Sequence, residues 1–300
     1  MQTLDAITRW ATIAAVEFRV FPDHERFPLA GHSIVYKRAS NLDLTLDVIT
    51  AGPPENQSRP TVIYIHGGGW VHLSKEDRFF FVLPYLARGM NAVHLEYRTA
   101  SQALAPAAVE DCRCALRWVF RHADEYGIDT DKLVIIGESA GGHLALMTGM
   151  LDPTAGFDNA CAWSLGQDSV KVAAIINYFG ITDAADVLEG INRRAWAVEW
   201  FGSLADRAEL ARRLSPLNHV RQGVPPVITV HGTNDSAVPY QHAERLHEAL
   251  QRVGVPNRLV TISGGGHGQR KFSREENIQA QTEIFDFLEQ HGLSGTIPTD

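Results

Sequence analysis

The sequence predicts an α/β protein: a mostly parallel sheet of eight strands flanked by helices, with a small helical cap. Three observations carry that expectation. Eight short, apolar, β-branched runs recur along the 300 residues, at 33–36, 44–49, 61–65, 92–96, 133–136, 173–178, 227–230 and 259–262. The later runs are almost continuously apolar rather than alternating, as strands covered on both faces are. Helical patterns separate several of them, and a parallel crossover needs such a helix to return the chain.

The elements follow in order. Within residues 1–30 the apolar run from Ala11 to Val16 is short and broken by Glu17, and no basic start or Ala-x-Ala site accompanies it; an N-terminal helical segment is expected rather than a signal peptide. The runs 33–36 and 44–49 begin the sheet, and 61–65 leads into His66-Gly67-Gly68-Gly69-Trp70. Residues 106–121 place Ala, Leu, Trp and Val at helical spacing. Gly127-Ile128-Asp129-Thr130-Asp131 breaks that pattern before the run 133–136, after which 140–150 is an almost wholly apolar helix. From 184 to 220 there are helical patterns with Trp196, Trp200 and Phe201 close together, and no strand; this insertion is the expected cap. With no internal repeat and no long low-complexity linker, residues 1–300 are expected to form a single domain.

Composition narrows the function. A 45% hydrophobic content supports a sizeable core, while a net charge of −8 and the lack of any Lys/Arg run exclude a nucleic-acid surface. No window reaches the roughly 18 apolar residues of a membrane span. The default expectation is therefore a cytoplasmic chain, with secretion through a trimmed leader left open, and monomer and homodimer both open. Cys112 and Cys114 lie on one expected helix about 200° apart, so they cannot chelate together. No cysteine has a zinc-like spacing, so three free, buried thiols and no metal are expected.

The chemistry is concentrated in three places. Gly137-Glu138-Ser139-Ala140-Gly141 joins a strand to a helix as Gly-x-Ser-x-Gly, a turn that exposes a serine Oγ and aims helix N–H groups at developing negative charge. The consecutive glycines 67–69 lose backbone entropy on folding, which points to a backbone purpose: with the Ala140 amide, the N–H groups of Gly68 and Gly69 would receive an oxyanion. A phosphate loop is excluded because no Gly-Lys-Ser/Thr follows. Asp235 and His267 each fall just beyond a strand end, in the chain order Ser, Asp, His. Among rivals, His66 belongs to the glycine motif, His143 lies one turn into the helix and His231 ends a strand. Asp183 follows one strand earlier than Asp235 and is the competing acid.

With these pieces together, the chain from about Leu42 to Leu288 resembles the α/β-hydrolase superfamily, specifically carboxylesterases of the hormone-sensitive-lipase-like and bacterial acetyl/feruloyl-esterase-like groups. Glu96-Tyr97-Arg98, the 106–118 helix and Ser215-Pro216-Leu217 also match. Glu138 and Trp70 stand closer to the acetyl/feruloyl-esterase-like group, since the lipase-like enzymes have Asp before the nucleophile. The resemblance implies a Ser139, Asp235, His267 triad, oxyanion donors at Gly68, Gly69 and Ala140, a small-molecule ester substrate and no cofactor. Trp70, Trp196 and Trp200 are the expected pocket residues, and a short cap lined by them implies short acyl chains. Two other readings stay open. One is an amide hydrolase like the arylformamidases, which carry an aromatic where Gly69 stands; the other is an inactive binding module on the same fold.

Overall fold

Strands buried on both faces need apolar side chains pointing both ways, and alternate residues of the central strands go to opposite layers. Ile63 and Ile65 join one core cluster with Leu144 and Met147, while Val62 and Tyr64 join another with Ile284 and Phe287. The computed structural model describes residues 29–39, 41–52, 57–159, 161 and 170–295. The expected N-terminal helical segment lies outside them, apart from residues 29 and 30, which open the first strand.

Strands β1 (Leu29–Ala39), β2 (Leu42–Ile49) and β3 (Arg59–Ile65) come first, followed by a 3-10 helix at Lys75–Val82 and α1 (Leu83–Leu86). Next are β4 (Asn91–Leu95), α2 (Ala107–Arg121), β5 (Ile128–Glu138), α3 (Ala140–Met150) and β6 (Ala174–Tyr178). The connection from β6 holds α4 (Ala184–Leu188), α5 (Ala195–Phe201), α6 (Arg207–Arg213) and a 3-10 turn at Pro216–His219. Then β7 (Val227–Gly232), α7 (Gln241–Arg252), β8 (Asn257–Ile262) and α8 (Arg274–Gln290) complete the fold. The eight-stranded sheet has the order β1-β2-β4-β3-β5-β6-β7-β8, antiparallel for β1, β2 and β4 and parallel from β4 onward. All eight predicted runs fall on these strands, with only Glu96 and Ala173 lying one residue outside them. β5 starts earlier than expected, at Ile128, because Ile128 pairs with Arg59 across an irregularity in the β3 ladder.

Topology places the chemistry at one sheet edge. β3 and β5 are neighbours in parallel register, with Ile65 opposite Gly137, so the glycine loop and the serine turn leave the sheet side by side. β7 and β8 are also paired, with Gly232 opposite Ile262, and they carry the segments containing Asp235 and His267 out of the same edge.

The cysteine expectation is corrected. Cys114 and Cys161 form a disulfide with their Cα atoms 5.1 Å apart, and only Cys112 is a free, buried thiol. Tertiary packing brings together positions 47 residues apart: Arg113 and Arg117 on α2 pair with Asp158 at 2.5 and 2.8 Å, drawing the segment that carries Cys161 onto the helix. No helix among the described residues is long and apolar enough to cross a membrane.

Two stability predictions follow from this packing. Cross-linking a 47-residue loop restrains the unfolded chain, a chain-entropy effect of about 4 kcal/mol. Dithiothreitol, or Cys114→Ser, should therefore lower Tm by several degrees without changing the far-UV spectrum; an unchanged Tm would mean the bridge contributes nothing. The second concerns acid. Burial holds the imidazoles of His66, His94, His143 and His247 down at about 4, whereas unfolded histidines titrate near about 6.5. Between those values the unfolded chain binds protons that the folded chain refuses, so stability falls as pH drops through this window and is fully present above it. Glu96, pushed up to about 7 by burial, acts with the opposite sign, as do Glu110 and Glu138, which burial also raises, but the lowered histidines, with His242 among them, outnumber these three. Thermal melts should show Tm falling continuously from pH 7 to pH 4; a flat Tm there would contradict the burial of these rings.

Candidate active site

The turn after β5 is tight because there is no room for it to be otherwise. A Cβ on Gly137 would collide with the Gly141 carbonyl, and one on Gly141 with the carbonyls of Ile65 and His66, so strand and helix approach to backbone contact. Between them Ser139 takes φ 54° and ψ −120°, a conformation that side chains rarely adopt and that its surroundings must impose. Its N–H donates to the Tyr178 carbonyl at 2.8 Å and its carbonyl accepts from His143 at 3.0 Å, fixing the apex between β6 and α3.

The three residues separated by 128 positions in sequence meet here. His267 Nε2 lies 2.9 Å from Ser139 Oγ, and Nδ1 lies 2.7 Å from Asp235 Oδ2. An ionised carboxylate only accepts, so Nδ1 carries the hydrogen and Nε2 is free to accept from the hydroxyl. The Asp235 side chain is wholly buried, with Oδ1 accepting from the N–H groups of Ala237 (2.8 Å) and Val238 (2.9 Å). Burial alone would push this carboxyl up. Hydrogen bonds from His231 and His267, the charge of His267 and the Val238 N–H outweigh it, and the group sits well below the usual carboxylate range.

Beside the serine the glycine loop turns sharply, with φ of 99° at Gly68 and 63° at Gly69. The Gly68 carbonyl accepts from Val71 and His72 at 3.1 and 3.2 Å, and Tyr97 Oη bridges the His66 and Gly67 carbonyls at 3.1 and 2.9 Å. The loop's carbonyls are thus tied down. The N–H groups of Gly68, Gly69 and Ala140 donate to no protein group among the described residues.

The tryptophans differ from expectation. Trp70 and Trp200 have no exposed surface and stack on each other at 4.2 Å, with His143 edge-on to both. They fill the core under the loop, because two indoles and an imidazole satisfy one another's faces and edges. Trp196 alone of the three keeps some surface, and its Cβ and Cγ stand 3.0 Å from where a Gly69 Cβ would be. The indole from the insertion therefore takes the space that a side chain at position 69 would need.

The rivals are accounted for. Asp183 caps α4 by accepting from Asp186 N at 3.2 Å and pairs with Arg245 at 2.9 Å. His66 is buried and stacked on Tyr97, and His143 Nε2 donates to the Leu214 carbonyl of the insertion at 2.7 Å. His231, weighed as a rival base, instead has its ring against Asp235, with Nε2 3.2 Å from Oδ2. Also unforeseen is Glu138, buried beside Gly67 and paired with Arg78 at 2.8 Å; burial raises its carboxyl while Arg78 opposes that. Only contact across the sheet edge identifies these, since Arg78 and Glu138 are far apart in sequence. Among the described residues no cluster of His, Cys, Asp or Glu could hold a metal.

Comparison with known proteins identifies the family. The BD-FAE family model matches residues 46–250, and the TAP-like protein model matches 206–297. The probable isoprenylcysteine alpha-carbonyl methylesterase ICMEL1 of Arabidopsis thaliana is 26% identical over 283 residues, covering 87% of this chain and 57% of that protein. Esterase LipC of Mycobacterium tuberculosis is 29% identical over 231 residues, covering 74% and 56%. The chain thus spans little more than half the length of these curated relatives. Among solved structures, a thermophilic esterase of Thermogutta terrifontis with propionate bound superposes with a TM-score of 0.73 at 30% identity, covering 93% of this chain and 98% of that one. The same organism's esterase 2 phosphorylated by paraoxon gives 0.73 at 26%, covering 94% and 100%. With more than half of its length matched, this chain belongs to the BD-FAE family of the α/β-hydrolase superfamily.

Proposed function

We propose that the chain is a serine esterase for short-acyl esters, working through Ser139, His267 and Asp235. The observation that carries this reading is the unbroken relay from Ser139 Oγ to His267 at 2.9 Å and on to Asp235 at 2.7 Å, beside three backbone N–H groups without an acceptor among the described residues. His267 takes the Ser139 proton as Oγ attacks the ester carbonyl, and the N–H groups of Gly68, Gly69 and Ala140 receive the oxyanion. Asp235 holds the imidazole in the required tautomer and stabilises its charged form. The alcohol departs with the proton from His267, and water activated by the same ring then releases the acid.

Short acyl chains are supported by Trp196, which packs against Gly69 and narrows the approach to the proposed oxyanion site. On this reading the insertion between β6 and β7 is a small cap on a single domain. The propionate held by the Thermogutta esterase supports the same size class. The Cys114–Cys161 bridge favours an oxidising compartment over the cytoplasm, where such bonds are kept reduced.

Three tests address the machinery and its substrate. Ser139→Ala should fold normally and lose roughly four or more orders of magnitude in kcat, and a fluorophosphonate probe should label the native enzyme at Ser139. On p-nitrophenyl esters from C2 to C12, kcat/KM should peak at C2 to C4 and fall steeply by C8. Labelling at another serine overturns the nucleophile, a C10 preference overturns the short-acyl reading, and faster turnover of N-formylkynurenine than of any ester makes the chain an amidase. Asp235→Asn should cut kcat by about 10⁴ through loss of the histidine tautomer, whereas Asp183→Asn should lower Tm and leave kcat within a few-fold. The reverse pattern would transfer the acid role to Asp183.

A further inference from the structure

Asp235 is held by more than its partner in the proposed relay. A carboxylate offers about four acceptor directions, and here all four are used: Ala237 and Val238 N–H on Oδ1, and two imidazoles on Oδ2. The second imidazole is His231, at the end of β7, with a fully buried ring. Its Nε2 lies 3.0 Å from the Val238 carbonyl and 3.2 Å from Oδ2, while its Nδ1 has no hydrogen-bond partner among the described residues. Two acceptors facing Nε2 place the ring's single hydrogen there. That hydrogen is shared between a backbone carbonyl in the Asp235 turn and the oxygen that His267 also uses.

We propose that His231 is a positioning residue for the acid: its N–H ties the Asp235 turn shut and takes part of the Oδ2 charge, which limits how strongly Asp235 binds the His267 imidazolium. The inference rests on the relay proposed above. A group that only packed the core would need no N–H at this point. Removing the N–H concentrates the carboxylate charge on His267 and favours its charged form, so the pH at which the base becomes neutral and active rises.

Other groups face this pair and stay constant when position 231 is changed. They are Glu138 from β5 with its partner Arg78, Tyr240 edge-on to the His231 ring, and Lys271 beside Gly266. Arg194 from the insertion donates to the Ser236 and Ala237 carbonyls at 3.0 and 2.9 Å. Phe179 is edge-on to both imidazoles, its ring centroid 4.8 Å from that of His267 and 6.5 Å from that of His231, and does not titrate.

The experiment compares wild type, His231→Phe, which removes the N–H, and His231→Gln, whose amide N–H reaches nearly the same place. The rate kcat/KM on an alkyl acetate is measured against pH by product separation, with Tm and far-UV spectra for each variant. The acidic midpoint of His231→Phe should move up by about half a pH unit or more, with kcat/KM below it lower by roughly threefold or more, and His231→Gln should return towards wild type. If His231→Phe does not fold, His231→Gln against His231→Asn makes the same comparison, because the Asn amide is too short to reach Oδ2. An unmoved midpoint in a folded variant lacking the N–H, or an equal shift in His231→Gln, overturns the proposal. Retained activity in Ser139→Ala would instead bring down the relay itself, and this inference with it; an inactive Ser139→Ala with an unmoved midpoint brings down this inference alone.

Discussion

Backbone contact between β3, β5 and α3 is the constraint on which the rest of the site depends. Gly137 and Gly141 leave no space for a Cβ, and only at that separation can Ser139 stand at the apex with its left-handed backbone while the glycine loop runs alongside. A wider turn would move Oγ away from His267 and Ala140 away from Gly68 together. The hydroxyl and the unpaired N–H groups therefore share one origin in close packing. The strain at Ser139 is sustained by a surrounding sheet whose central strands are buried where they approach the turn, from Leu133 to Glu138 in β5 and throughout β6.

A second consequence is that the insertion is tied to the site at several points rather than resting on it. Trp196 packs over Gly69, Leu214 accepts from His143 on α3, and Arg194 holds two successive carbonyls next to Asp235. Glycine loop, α3 and the Asp235 turn are thus each touched by one element. The Trp70–Trp200 stack beneath them makes this docking largely apolar, with the hydrogen bonds setting its orientation.

On the far side of α3 the chain is anchored differently. The Arg113 and Arg117 pairs with Asp158 and the Cys114–Cys161 bridge hold the segment after α3 against α2, and the cross-linked loop encloses β5, Ser139 and α3. The strand and helix that meet at the strained turn are therefore restrained from outside as well as by the sheet.

Much of this was legible in the residue order because it is local. Apolar runs mark strands, glycines at 137 and 141 announce a turn with no room for side chains, and Asp235 and His267 follow strand ends in the required succession. Such features are set by backbone sterics and burial periodicity within a few residues, and the structure brings the three residues so identified into one chain of hydrogen bonds. Tertiary structure alone decided contacts between distant segments. The pairing of Cys114 with Cys161 depended on where a loop docks, and the burial of Trp70 and Trp200 on an aromatic stack assembled from two segments. His231 came to face Asp235 through a turn whose closure no periodicity encodes. Local sequence specifies conformation, whereas which side chain fills a given space depends on packing among elements far apart in the chain.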